Sequence, residues 1–245
     1  MNDSASLLPE IPGEVLAAAA RPLPGTQPLD MAHWLLRDAA FASQMARRDS
    51  LLQEMPEAVL GRVQGAQAAI GELFDLVVGT VMRDPGYGAV DSGVIRPDGA
   101  EIDLYASGPL KTLGRLTQQD FCILEKPEGS DEHVMTAAVL CFPASWRLSE
   151  KLGRPLTAIH APVQPYDSDI ARRVQRLFDG IRAGQGLWRA NALSYGTPEL
   201  FLPDRASHGR DGAAAYLRSE RQYLIRLPAT RAVVFSIHTM VAPHP

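Results

Sequence analysis

Of the six histidines in the chain, His160 has the surroundings that best suit chemistry. It follows the apolar run Leu156 to Ile159 and precedes Ala161-Pro162-Val163, with Pro155 and Pro162 on either side. A stiff, irregular backbone can hold an imidazole in one direction, which suits a metal ligand or a general base. A core-edge histidine bonded to main chain fits the same residues. His33, His133, His208, His238 and His244 are scattered without ligand spacing. His238 shares a strand face with Ser236 and Met240, and reads as a solvated or rim residue. Cys141, in Cys141-Phe142-Pro143, could ligate as a thiolate, although a buried thiol is the commoner fate of such a residue.

A second group of candidates is charged. Arg189 and Asn191 fall on one face of a short apolar-periodic strand, while Arg221 and Arg226 flank apolar residues next to Glu220. Charges in apolar elements need partners. The pattern therefore fits either a structural ion pair, Glu220 with one arginine, or a pocket gripping anionic groups in two-point fashion. Asp120, just before a buried strand, is either a turn residue or a carboxylate facing a cationic substrate. Signatures of the common nucleotide, hydrolase and zinc chemistries are missing: no GxGxxG after a strand, no P-loop, no GxSxG, no HExxH and no CxxC.

These residues must be positioned by a globular scaffold. The 245 residues are 46% hydrophobic and 21% charged, which suits a packed core and not a disordered chain. A net charge of −4 argues against nucleic acid as a partner, since phosphate binding needs a concentrated basic surface. No run approaches the roughly 20 apolar residues a membrane span requires, and Met1 to Glu10 lacks the basic start of a secretory signal. Two cysteines, Cys122 and Cys141, sit in apolar runs and read as buried thiols of a reducing, cytoplasmic compartment.

Along the chain, residues 1–29 are marked by Pro9, Pro12, Pro22, Pro24 and Pro28, and read as an extended N-terminal arm. Residues 30–245 read as one domain. Asp30 is placed to cap a helix from Met31 toward Glu54, and Pro56 breaks it. Leu60, Val63, Ile70, Leu73, Phe74, Val77 and Val81 then recur at helical spacing. The period changes to two around Pro97-Asp98-Gly99, a hairpin turn between Val90–Arg96 and Glu101–Ala106. Phe121 to Leu124 and Val134 to Phe142 look like central strands buried on both faces. A short helix should lie between Ser145 and Gly153. Prolines keep Leu156 to Tyr166 from being a regular helix. Asp167 should cap an amphipathic helix carrying Ile170, Val174, Leu177, Phe178 and Ile181. Leu187 to Ser194 reads as a strand and 198–212 as a polar loop. Arg221 to Leu227 and Val233 to Val241 read as a C-terminal hairpin. Helices before and between grouped strands indicate an α+β fold.

Several motifs in this order resemble one family. They are Phe142-Pro143-Ala144-Ser145-Trp146, Glu150-Lys151-Leu152-Gly153-Arg154-Pro155-Leu156 and Ile159-His160-Ala161-Pro162-Val163. Gly114-Arg115-Leu116 with Gln119-Asp120-Phe121-Cys122, Arg189-Ala190-Asn191, Leu217-Arg218 to Glu220-Arg221-Gln222, Leu227-Pro228 and Val233-Val234-Phe235 add to them. Over roughly residues 30–243 the chain is similar to the heme-dependent oxidative N-demethylase family. The resemblance implies a PAS-like α+β fold: an antiparallel sheet with N-terminal helices and the C-terminal hairpin. It implies heme b with His160 as axial ligand. On that view the buried arginines Arg189 and Arg221 are expected to hold the heme carboxylates, and Asn191 to be a further heme-binding residue. It also implies removal of a methyl group, as formaldehyde, from a small secondary amine such as dimethylamine. Oxygen is the oxidant, and electrons come from a separate flavin and iron–sulfur reductase. Asp120 would be the carboxylate facing the amine. A heme-based sensor or carrier without turnover is the alternative, and a homo-oligomer is compatible with either. The chain departs from the family pattern at Ala192, Gln119, Tyr223, His238 and Met240, the last two near the presumed pocket.

Overall fold

The computed structural model describes residues 6–161, 168–204 and 214–244. Its period-two segments pair into an antiparallel sheet. The strands are β1 (Gln27–Leu29), β2 (Leu60–Arg62), β6 (Asp120–Glu125), β7 (Val134–Val139), β8 (Gly186–Tyr195), β9 (Tyr216–Arg226) and β10 (Val233–Pro243). Among the described residues they lie in the order β1-β8-β9-β10-β6-β7-β2, every neighbour antiparallel. β9 and β10 form the expected C-terminal hairpin, in register from Val233↔Arg226 to Pro243↔Tyr216. The turn at Pro97-Asp98-Gly99 is also present. It joins β4 (Gly93–Ile95) to β5 (Glu101–Asp103), which with β3 (Gly88–Val90) make a separate three-stranded sheet. Gly99 takes φ +85°, a left-handed conformation open to glycine at no steric cost.

Helices cover both faces of the large sheet. On one side lie α2 (Phe41–Glu54), α4 (Gln67–Val81) and α5 (Pro109–Leu116), with α3 (Pro56–Val59) linking α2 to β2. Leu52, Leu73, Val77 and Leu113 pack there against Phe121, Ile123, Val139 and Ile225. On the other side α6 (Leu148–Lys151), α7 (Leu156–His160) and α8 (Ser168–Gly180) face Cys122, Leu124, Leu224 and Ile237. Adjacent strand residues thus serve different layers, as the pleat requires. This is the α+β class predicted. Among the described residues no helix is long and apolar enough to cross a membrane.

Several segments differ from their sequence reading. Residues 1–29 are not an extended arm throughout. Gly13–Ala19 forms a helix, α1, that buries Val15 and Ala18, and Gln27–Leu29 is the edge strand β1. The prolines flank α1 without interrupting it, and Pro28 is tolerated because an edge strand leaves one row of backbone groups unpaired. Asp30 does cap, accepting from the Ala32 amide at 3.0 Å, but it caps a 3-10 turn, Met31–His33, and α2 starts only at Phe41. Leu60 and Val63 are not helical. Leu60 opens β2, whose Gly61 could not carry a Cβ without approaching the Leu152 side chain to 2.9 Å. α7 is a short helix where prolines argued against a regular one, and it follows Pro155, which ring geometry preorganises for helix entry. The predicted cap Asp167 and most of the 198–212 loop lie outside the described residues.

Candidate active site

Between α7, α8 and the sheet lies a cavity of about 320 Å³. Its floor is apolar: Cys122 and Leu124 of β6, Leu224 of β9, and Phe235 and Ile237 of β10. Leu156 and Ile159 of α7 and Val174, Leu177 and Phe178 of α8 supply apolar cover. The sheet beside this floor is polar, with Arg189 and Asn191 on β8 and Arg218, Glu220 and Gln222 on β9. Lys151 and His160 also line the cavity from the helical layer. A cavity apolar at one end and charged at the other suits a ligand with a broad hydrophobic body and ionic edge groups.

His160 is oriented by its own helix. Its Nδ1 lies 2.9 Å from the Leu156 carbonyl oxygen. A carbonyl can only accept, so Nδ1 carries the proton and the ring lone pair resides on Nε2. Burial pushes the His160 pKa below its ordinary 6.5. The carbonyl bond opposes this, and the charges of Lys151 and Arg189 reinforce it. The imidazole is therefore neutral at neutral pH, the form that ligates a metal.

Arg189 and Asn191 line the cavity with His160, as their shared strand face predicted. Arg189 donates from Nη1 to Gln222 Oε1 at 2.8 Å, while its Nε is buried without a hydrogen-bond partner. Desolvation lowers the Arg189 pKa, against the attraction of Glu220. Arg218 lines the same cavity. It gives Nη1 to the Leu200 carbonyl at 3.0 Å and Nη2 to the Phe142 carbonyl at 2.7 Å, and its Nε is also left without a partner. Two buried guanidinium N–H groups without acceptors favour a ligand that brings its own oxygens.

The other two predicted residues lie elsewhere. Arg221 is outside the cavity. It pairs across the sheet with Ala190 and His238, stacks 4.0 Å over the Trp188 ring, and donates to Glu14 of α1 at 2.6 Å. Register explains this: Arg189 is opposite Gln222, so its one-residue neighbour Arg221 points to the other layer. Asp120 also stands apart from the cavity lining. Its Oδ1 accepts from Arg48 Nη1 at 2.8 Å and from the Cys141 amide at 2.7 Å, and its Oδ2 from the Phe142 amide at 2.9 Å. Arg48 is fully buried and gives its remaining donors to the carbonyls of Gly114, Gln118 and Gln119.

The remaining candidates are quickly placed. Cys141 packs in the layer opposite the cavity, and burial pushes its thiol up to about 12, so it is no thiolate. Cys122 lines the cavity, and burial pushes its thiol up to about 12 as well. His238 is neither solvated nor at the cavity rim. It is fully buried and lies 2.9 Å from Asp38 Oδ2. Met240 and Tyr223 are buried in that same layer, away from the cavity. Sequence reasoning missed Lys151, Arg218 and Gln222 as cavity residues, and saw Glu220 only as an ion-pair partner. Alternation with Leu224 on β9 was the signal that could have found Gln222, Glu220 and Arg218.

Compared with known proteins, the chain matches the family described as haem-dependent oxidative N-demethylase, alpha subunit-like, over residues 25–244. It belongs to that family. The match runs from the approach to β1 through β10 and so takes in every strand that floors the cavity. The cavity tests whether this chain has kept what heme needs. A neutral histidine with its lone pair on Nε2, an apolar floor and cover, and cationic groups with unmet N–H donors all fit a macrocycle carrying carboxylates.

Proposed function

We propose that this chain is the heme-binding catalytic component of an oxidative N-demethylase acting on a small secondary alkylamine such as dimethylamine. The observation that carries the reading is the convergence of His160, Arg189 and the apolar floor on one cavity of a chain that belongs to this family. His160 Nε2 would hold the iron of heme b, with the Leu156 carbonyl fixing the ring. Arg189 and Arg218, whose buried Nε groups lack an acceptor at the cavity wall, would meet the heme carboxylates, in place of Arg221. Asn191 would hold the polar edge in register through its bonds to Glu220. Bound heme supplies the oxygen chemistry of the reaction. The chain's part is to exclude water with α7 and α8, to keep His160 neutral, and to present the charged face of β8 and β9 to the substrate. The alpha-subunit description fits a system of several components. Electrons would come from a separate reductase of flavin and iron–sulfur type.

Heme titration and formaldehyde release test this. The purified protein should take up heme to near equimolar ratio with a Soret band. With oxygen, a reductant and dimethylamine it should release formaldehyde. His160→Ala should abolish or shift the Soret band while far-ultraviolet circular dichroism is unchanged. An unaltered Soret band in His160→Ala overturns the ligand assignment. Full heme loading with no formaldehyde from any methylated amine would favour a sensor or carrier.

A further inference from the structure

We infer that Glu220 is the residue that recognises the amine, by pairing with its protonated, cationic form. The inference rests on the function proposed above and names the substrate contact of the same cavity. Among the described residues that line the cavity, Glu220 is the sole carboxylic acid. It sits on β9 between Arg218 and Gln222, with its side chain 11% exposed.

Glu220 is built to face outward from the sheet into the cavity with one oxygen committed and one in reserve. Oε2 accepts from Asn191 Nδ2 at 3.1 Å and from Gln222 Nε2 at 2.9 Å. Asn191 also accepts from the Glu220 amide through Oδ1 at 3.0 Å, so main chain and side chain are held by one residue. Gln222 is itself oriented, because its Oε1 takes the bond from Arg189. Oε1 of Glu220 accepts no hydrogen bond among the described residues. Among the described residues its nearest cationic group is Arg218 Nη2 at 4.0 Å, and that nitrogen is already bonded to the Phe142 carbonyl.

Glu220 has the Arg218 cation nearby, yet no N–H among the described residues is bonded to Oε1, so a buried oxygen beside an apolar floor is left without a donor. A cation completes it. Glu220 lines the same cavity as Cys122 and Leu124 of the apolar floor. A secondary ammonium meets both surfaces at once: an N–H for Oε1 and alkyl groups for the floor. Asn191 and Gln222 are positioning residues in this arrangement. The charge also sets specificity, favouring an ammonium over an uncharged molecule of the same shape.

Calorimetric titration of the heme-loaded protein tests the assignment, with dimethylammonium chloride as probe and dimethyl ether as its uncharged isostere. Glu220→Gln removes the charge at constant shape. It should weaken dimethylammonium binding roughly 10- to 100-fold, the scale of losing a hydrogen bond to a charged group, and leave dimethyl ether binding unchanged. Glu220→Asp keeps the charge and should still prefer the ammonium to the ether, which serves if the Gln variant misfolds. Equal dimethylammonium binding in wild type and Glu220→Gln overturns the assignment, as does equal weakening of ammonium and ether, the mark of a merely structural role. Wild-type protein that binds no dimethylammonium overturns it too. Protein that binds dimethylammonium through Glu220 yet releases no formaldehyde sustains Glu220 and sinks the catalytic reading.

Discussion

Two acid–arginine clusters lie against the same sheet and are treated oppositely. Around Arg48 and Asp120, every guanidinium nitrogen of Arg48 has an acceptor, and both carboxylate oxygens of Asp120 take donors. Around Arg189 and Glu220, Arg189 Nε and Glu220 Oε1 have no hydrogen bond among the described residues, and an amide, Gln222, stands between the two side chains. The first cluster uses its charges to tie α2, α5 and the ends of β6 and β7 together. The second leaves capacity unspent at the wall of a cavity. Of these two clusters, the one whose hydrogen bonds are complete is sealed in the interior, and the one whose bonds are incomplete lines the cavity.

That contrast can be broken by substitution. The largest effect is expected at Arg48→Leu, which strands Asp120 in the interior. Urea unfolding should show a loss of about 3–5 kcal/mol, the usual result of removing one partner of a buried pair. Heme affinity of the folded fraction should be unchanged. Asp120→Asn should likewise lower stability and leave amine binding alone; an amine defect without a stability defect would return Asp120 to the active site.

Arg189→Leu should give the reverse pattern. Unfolding free energy should move by no more than about 1 kcal/mol, because the guanidinium now sits partly desolvated and incompletely paired. Heme retention during gel filtration should fall. A stability loss as large as that of Arg48→Leu would erase the distinction between the clusters.

The smallest expected effect sharpens the comparison from the structural side. Burial raises the Asp38 pKa, but the hydrogen bond and charge of His238, with donors from Gln118 and Ala40, outweigh it and leave the carboxyl below 3.8. A carboxyl depressed on folding contributes stability that is present above 3.8 and is lost as pH falls through the lower folded value. Wild type should therefore lose more stability than Asp38→Asn between about pH 5 and about pH 3. Parallel pH profiles for the two proteins would show that the pair with His238 adds nothing.

The sequence made legible what depends on neighbours along the chain. Alternation placed Arg189 and Asn191 on one face, and the closely spaced runs Arg221 to Leu227 and Val233 to Val241 foretold the β9–β10 hairpin. Proline spacing singled out His160. What stayed hidden depends on register between distant segments. Arg221 and Arg189 look alike in sequence, and only the pairing of Ala190 with Arg221 puts them in different layers. Asp120 reads as a pocket carboxylate until Arg48, far upstream on α2, is seen to reach it. His238 reads as exposed because nothing local announces Asp38. Val15 and Ala18 gave too short an apolar pattern to reveal α1 among the prolines.

One seam in the sheet governs how the protein must be assembled. β2, β7 and β6 form one antiparallel block, and β1, β8, β9 and β10 another; a single ladder, Val233↔Leu124 to Ile237↔Asp120, joins them. The residues this ladder pairs are far apart in sequence, so it is a non-local contact. The cavity straddles the seam, taking Cys122 and Leu124 from one block and Leu224, Ile237 and Arg189 from the other. Neither half-sheet alone contains the binding surface. A prosthetic group seated there would act as a clasp, recognising only chains whose two halves have already zipped and holding them closed by mass action.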